Sequence, residues 1–150
     1  MTMQCKTDIR FMDGDEAAKL RVLHEWGEKA ARHMHLTDGF SILALHEETL
    51  VGLISTYWKK LPAPLDDEFD AYIGILEVHQ DFRRRGIARQ LIEMSMERAK
   101  QKGMHQIRSW SSEDKIEAIP MWKAVGFGLC PATTHPNGQE IRGFFVVKIL

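Results

Sequence analysis

Cysteine is scarce: the chain has two, Cys5 and Cys130, too few for a disulfide framework. No CxxC and no Cys/His cluster has the spacing of zinc ligands. Reduced thiols in a cytoplasmic protein are the expectation. Long apolar runs are missing as well, and none approaches the ~20 residues a membrane-spanning helix needs. The first residues, MTMQCKTDIRF, lack the apolar stretch of a signal peptide, so no membrane partner is expected. An excess of one charge is also absent. There are 20 Lys plus Arg against 21 Asp plus Glu, a formal net charge of −1, which argues against bulk attraction to nucleic acid or anionic lipid. Neither the P-loop spacing GxxxxGK[ST] nor the dinucleotide fingerprint GxGxxG occurs. Internal repeats and low-complexity linkers are missing too.

What is there suits one domain over residues 1–150. The chain has 150 residues, 44% of them hydrophobic and 27% charged, too apolar for disorder. Gln4–Phe11 alternates like an opening strand. Asp13-Gly14-Asp15 supplies a turn and an N-cap with acidic residues in the first helical turn. Ala17, Leu20, Leu23, Ala31 and Met34 then recur at helical spacing, with a break near Gly27. Phe40–Leu45 and Leu50–Tyr57 read as a β-hairpin. Leu61–Asp70, with two prolines and the acidic residues Asp66, Asp67, Glu68 and Asp70, reads as a solvated loop.

Ala71–Val78 is apolar on both faces, as a strand covered on both sides of a sheet would be. The next helix has an inner face of Ile87, Ala88, Leu91, Ile92, Ser95 and Ala99 and ends at Lys102-Gly103. A strand at Gln106–Trp110 follows, then a helix starting at Glu113 or Asp114 and closing at Val125-Gly126-Phe127. Gly128–Thr134 and Ile141–Leu150 form a final β pair. The order is β-α-α-β-β-β-α-β-α-β-β, an α/β domain with a mostly antiparallel front and one β-α-β unit.

The informative stretch is EVHQDFRRRGIAR, Glu77–Arg89. A buried strand, a basic turn with one glycine and a helix opening on small residues together make a phosphate cradle. The first amides of a helix have no partner within it, and the helix dipole puts partial positive charge there. A pyrophosphate on those N–H groups is neutralised from the side by arginines. Gly86 allows close backbone approach and Ala88 keeps the entry uncrowded.

Arg83-Arg84-Arg85-Gly86-Ile87-Ala88 resembles the [Q/R]-x-x-G-x-[G/A] signature of the GNAT superfamily of acyl-CoA-dependent N-acetyltransferases. Ala118–Phe127 (AIPMWKAVGF) is similar to that family's A-I-x-[LM]-[YW]-x-x-x-G-F motif. The resemblance is close from about Tyr72 to Phe127. It implies the GNAT fold, a mixed central sheet of about seven strands with flanking helices. It also implies acetyl-CoA as cosubstrate with no metal, and a small-molecule or peptide amine that attacks the thioester directly. The acetyl-CoA would lie between Ala71–Val78 and Gln106–Trp110. The backbone of Leu76 and Val78 would pair with the pantetheine arm. The turn and helix entry, Arg83, Arg84, Arg85, Gly86, Ile87, Ala88 and Arg89, would hold the pyrophosphate, and an N–H near Leu76 would polarise the thioester carbonyl.

The chain departs from the family pattern in places. Trp122 stands where many members have a tyrosine that protonates the leaving thiolate, and an indole N–H is a donor but no usable acid. Tyr72 or Ser112 would then serve instead. Lys115 replaces an asparagine that often caps the helix and contacts the cofactor. Tyr72 also occupies the strand position where some relatives have a catalytic glutamate, and Glu77 is the carboxylate within that strand. His24, His33 and His35 read as surface histidines, Trp26, Tyr57 and Trp58 as core aromatics, and Cys130 as a buried thiol. Exposed strands near the C-terminus leave room for a homodimer. The competing readings are a non-catalytic acyl-CoA-binding sensor on the same scaffold and a nucleic-acid binder using Arg83–Arg85, Arg89 and Arg98. The latter is disfavoured by the charge balance.

Overall fold

The computed structural model describes residues 8–150. Its elements follow in chain order: β1 Ile9–Asp13, α1 Glu16–Trp26, α2 Glu28–Arg32, β2 Gly39–His46, β3 Thr49–Lys60, β4 Phe69–Val78, α3 Ile87–Gln101, β5 Gln106–Ser112, α4 Ala118–Val125, β6 Gly128–Thr134 and β7 Ile141–Ile149. The strands form one seven-stranded sheet in the order β1-β2-β3-β4-β5-β7-β6. β4 and β5 pair in parallel, joined through α3, while β1–β2, β2–β3, β5–β7 and β6–β7 pair antiparallel. The seven-stranded mixed sheet with flanking helices, and the order of its elements, are as expected from the sequence. Gln4–Thr7 of the expected opening strand, and Cys5 with them, lie outside the described residues.

By contact density the chain divides into two units, one containing the residues up to Tyr57 and Gly74–Ile92, the other Trp58–Ile73 and Glu93–Leu150. In the first, Asp15 caps α1 by accepting from the Ala18 amide at 2.8 Å. Ala18, Val22, Ala31 and Met34 pack with Leu43, Leu45, Leu50 and Leu53 of the β2–β3 hairpin into one buried cluster. The inner face of α1 is therefore Ala18 and Val22, an i,i+4 pair. Leu20 and Leu23, expected inside, are 65% and 44% exposed. Both phases of the pattern place apolar residues at helical spacing, and the docked hairpin selects the smaller side chains. Gly52 on β3 serves a close approach. A Cβ there would come within 3.1 Å of Ile87 Cγ2 and 3.2 Å of Leu91 Cδ1, so its absence seats the start of α3 on the sheet.

In the second unit, β4 begins earlier than expected. Asp70 is fully buried within it rather than solvated in a loop. Arg108 Nε comes within 2.5 Å of Asp70 Oδ2 without the alignment of a hydrogen bond, and Gln106 Nε2 donates to the same oxygen at 3.1 Å. The β4–β5 register covers Ala71↔Ile107 and Tyr72↔Arg108. One residue on, the Ser109 hydroxyl donates to the Ile73 carbonyl at 2.9 Å, a side chain standing in for a ladder amide. α4 starts at Ala118, after a turn rather than at Asp114 or Glu113, and Glu117 stands at its N-cap without a side-chain bond. It ends at Gly126, followed by Phe127 N→Trp122 O at 3.0 Å. Cys130 is exposed, not buried. β6 is the edge strand beyond β7, and every residue along it is exposed or half-buried.

Candidate functional site

The second half of β4 departs from the doubly covered strand the sequence suggests. Ala71 and Ile73 are buried, but Gly74 is exposed and Ile75–Val78 are only half-buried. Tyr72, Gly74, Leu76 and Val78 share one face of the strand, and Ile73, Ile75 and Glu77 the other. A mostly apolar run records which residues tolerate burial, not where along the strand the cover stops.

Past Val78 the chain turns sharply. The His79 amide donates to the Val51 carbonyl at 2.7 Å, and His79 Nδ1 accepts from the Asp81 amide at 3.1 Å, fixing a 3-10 turn over Gln80–Phe82. The Phe82 ring is the hub of this turn. His46 and His79 lie 5.1 and 5.8 Å from it, and the Arg85 guanidinium stacks over it at 4.9 Å. Arg83 Nε donates back to the Val78 carbonyl at 3.2 Å. Arg83 and Arg85 are thus braced against the turn, whereas Arg84 is exposed with φ +65. Holding a non-glycine residue in the left-handed region costs about 1–2 kcal/mol, a strain typical of ligand clamps. Gly86 follows at φ +80 and turns the chain into α3, with open space where a Cβ would stand. The first helical bond is Gln90 N→Gly86 O at 3.0 Å. The amides ahead of Gln90 therefore precede the helix's own bonds and carry the positive end of its dipole.

The structure brings Leu76, Val78, Arg83, Arg84, Arg85, Gly86, Ile87, Ala88 and Arg89 into one strand–turn–helix segment of the first unit. Ile87 points its side chain into the core, so only its amide is on offer. The Val78 carbonyl keeps one lone pair beside the Arg83 bond. A strand end, a basic turn braced on Phe82 and the Val78 carbonyl, and a helix entry thus follow one another in this segment. A family model described as the acetyltransferase (GNAT) family matches residues 6–127. The chain belongs to that family.

Solved structures of GNAT-like proteins share the fold. Arabidopsis thaliana NAA60 in complex with a bisubstrate analogue is 19% identical with a TM-score of 0.77, over 94% of this chain and 97% of that one. A putative acetyltransferase from Salmonella typhimurium, yncA, with its cofactor acetyl-CoA, is 12% identical with a TM-score of 0.74, over 95% and 94%. The ribosomal-protein-alanine N-acetyltransferase from Brucella melitensis is 18% identical with a TM-score of 0.71, over 94% and 99%. No curated protein sequence matches the chain. This GNAT chain is accordingly an acyltransferase, and among its described residues no helix is long and apolar enough to cross a membrane.

Of the other residues singled out in the sequence, Glu77 lies within that segment, and Tyr72, Lys115 and Trp122 belong to the second unit. Tyr72, half-buried, has the Lys59 ammonium 4.3 Å over its ring. Glu77 is half-buried on the face of β4 opposite Leu76. Lys115 is exposed in the turn before α4, its amide donating to the Ser112 carbonyl at 3.1 Å. Trp122 is buried edge-on against Phe127 at 4.8 Å. One residue passed over as a surface histidine is half-buried: His35 is hydrogen-bonded through Nδ1 to the Asp38 carboxylate and stacked on Tyr57. The aspartate three residues on was the signal available in the sequence.

Proposed function

We propose that the chain transfers the acetyl group of acetyl-CoA to a primary amine of a small molecule or peptide, by direct attack of the amine on the thioester. The observation that carries this reading is the helix entry at Gly86–Ala88. Its amides stand ahead of the first helical bond and are flanked by Arg83, Arg84 and Arg85. The pyrophosphate would rest there, and the half-buried edge of Leu76 and Val78 would take the pantetheine arm as an added strand. The Leu76 amide would donate to the thioester oxygen as charge develops on it. Removing one such donor costs about 3 kcal/mol of transition-state stabilisation in other enzymes. Lys115 and Trp122 are assigned to the cofactor side. Tyr72 is assigned to the leaving thiolate and Glu77 to the strand's proton traffic. The similar structures of yncA and NAA60 with acetyl-CoA, and that of a ribosomal-protein-S18-alanine N-acetyltransferase, favour an amine acceptor.

Calorimetric titration with acetyl-CoA tests the reading, with dephospho-CoA and ATP as controls. Micromolar binding that needs the pantetheine arm is expected, together with thiol release in the presence of amines. Gly86→Glu should abolish that binding, since it puts a carboxylate at the anion site and a side chain at φ +80. A circular-dichroism melt separates this from unfolding. Unchanged affinity in a folded Gly86→Glu protein would sink the cradle assignment. Binding without thiol release on any amine would instead favour the acyl-CoA sensor.

A further inference from the structure

An alkyl amine with a pKa near ~10.4 is mostly protonated at neutral pH, so some group must take its proton before it attacks. From the geometry we infer that His35 is that general base, with Asp38 as its positioning residue. The inference rests on the acetyl-transfer reading above and names a residue for its proton-transfer step.

Four observations within the first unit converge on it. His35 Nδ1 lies 3.0 and 2.9 Å from the two Asp38 carboxylate oxygens. A carboxylate only accepts, so Nδ1 carries the hydrogen, and the lone pair of the neutral ring is left on Nε2. The ring plane is set by Tyr57, stacked at 4.3 Å and 20°. The backbone is bolted down from both sides by buried serines. The His35 amide donates to Ser55 Oγ at 2.7 Å, and Ser41 Oγ donates to the His35 carbonyl at 2.9 Å. Nε2 is aimed at β4. It lies 3.9 Å from where a Cβ on Gly74 would stand, and that residue is an exposed glycine.

Gly74 is two residues before Leu76 on the same strand face, about 6.6 Å at 3.3 Å rise per residue. That span fits an amine nitrogen placed within hydrogen-bond reach of Nε2 on one side and of the thioester carbon on the other. The alkylammonium gives one proton to Nε2, which passes it to water. The neutral amine then forms the new N–C bond while the C–S bond breaks. Its second proton ends on the departing CoA sulfur, so the products are an amide and the free thiol. Glycine at position 74 leaves Nε2 uncovered. An alanine there would meet the Tyr57 ring at 3.5 and 3.7 Å and Nε2 at 3.9 Å, ordinary contacts that the fold tolerates.

The test combines a spectroscopic and a kinetic readout. Long-range ¹H–¹⁵N spectra at about pH 9 should show the neutral His35 ring in its Nδ1–H form. Asp38→Asn should mix the tautomers. Against a lysine peptide, an N-terminal alanine peptide and spermidine as probe amines, His35→Gln should lower kcat at least 100-fold on whichever is turned over. Its calorimetric affinity for acetyl-CoA should stay within threefold of the wild type. Gly74→Ala should lower turnover while the melt stays unchanged. An Nε2–H tautomer, or turnover within a few-fold of wild type in His35→Gln, would overturn the assignment of His35 while leaving acetyl transfer standing. Wild-type protein that fails to bind acetyl-CoA would overturn both. Wild-type protein that binds it but acetylates none of the three amines, with a His35 ring indifferent to added acetyl-CoA, would also remove His35 from the reaction.

Discussion

Asp70 shows how one residue joins folding to the site. A carboxylate at the second position of β4, fully buried, leans on Arg108 and Gln106 of β5 beside the paired residues Ala71↔Ile107 and Tyr72↔Arg108. Buried pairs of this kind are poor evidence of net stability, because desolvation offsets the attraction. Breaking one is still costly, since it strands the other charge. Arg108 is about a quarter exposed and solvates part of its charge once alone. Asp70→Ala is therefore expected to destabilise the protein by about 3 kcal/mol, toward the low end for a broken buried pair. Chemical denaturation checks this, and a loss under about 1 kcal/mol would mean that the pair is screened as at a surface. The sequence could not place Asp70, because a run of Asp66, Asp67, Glu68 and Asp70 reads alike until the strand start is known. His35 escaped for a related reason. Sequence distance hides that Ser55, Tyr57 and Gly74 all meet at its ring and backbone.

At the scale of elements, local rules did well where one residue makes one bond. Asp15 was legible as an N-cap, and it caps: its side chain takes the Ala18 amide. Asp15→Ala should cost about 1 kcal/mol, read as a shift in the denaturation midpoint with an unchanged slope. The inner face of α3 was legible for the same kind of reason. Of the six residues expected inside, Ile87, Leu91, Ile92, Ser95 and Ala99 hold one phase of the helix and are buried, while Ala88 is half-buried. α1 was not, since Ala17, Leu20 and Leu23 offer a stripe that competes with Ala18 and Val22. Helical spacing alone cannot rank two stripes, and the choice falls to what the β2–β3 hairpin accepts.

Across the whole molecule, β3, β4 and α3 each contribute residues to both contact units. Unfolding either unit alone would cut through the hydrogen-bonded interior of a strand or helix. One cooperative transition is expected, with fluorescence and far-ultraviolet circular dichroism coinciding across a denaturant series. Two separated transitions would show that residues 1–150 do not behave as the one domain expected from their length.

The order of strands and helices, the sharp basic turn ahead of α3 and the membership in the GNAT family were all determined by the sequence itself. They rest on local causes: side-chain periodicity, caps, and a short basic motif whose glycine the backbone requires at that point. The tertiary structure alone decided which stripe of α1 faces inward, that Asp70 is buried and Cys130 exposed, where along β4 the cover ends, and that His35 points at Gly74. Each of these depends on which distant segments come to lie side by side, and a one-dimensional pattern carries no measure of that.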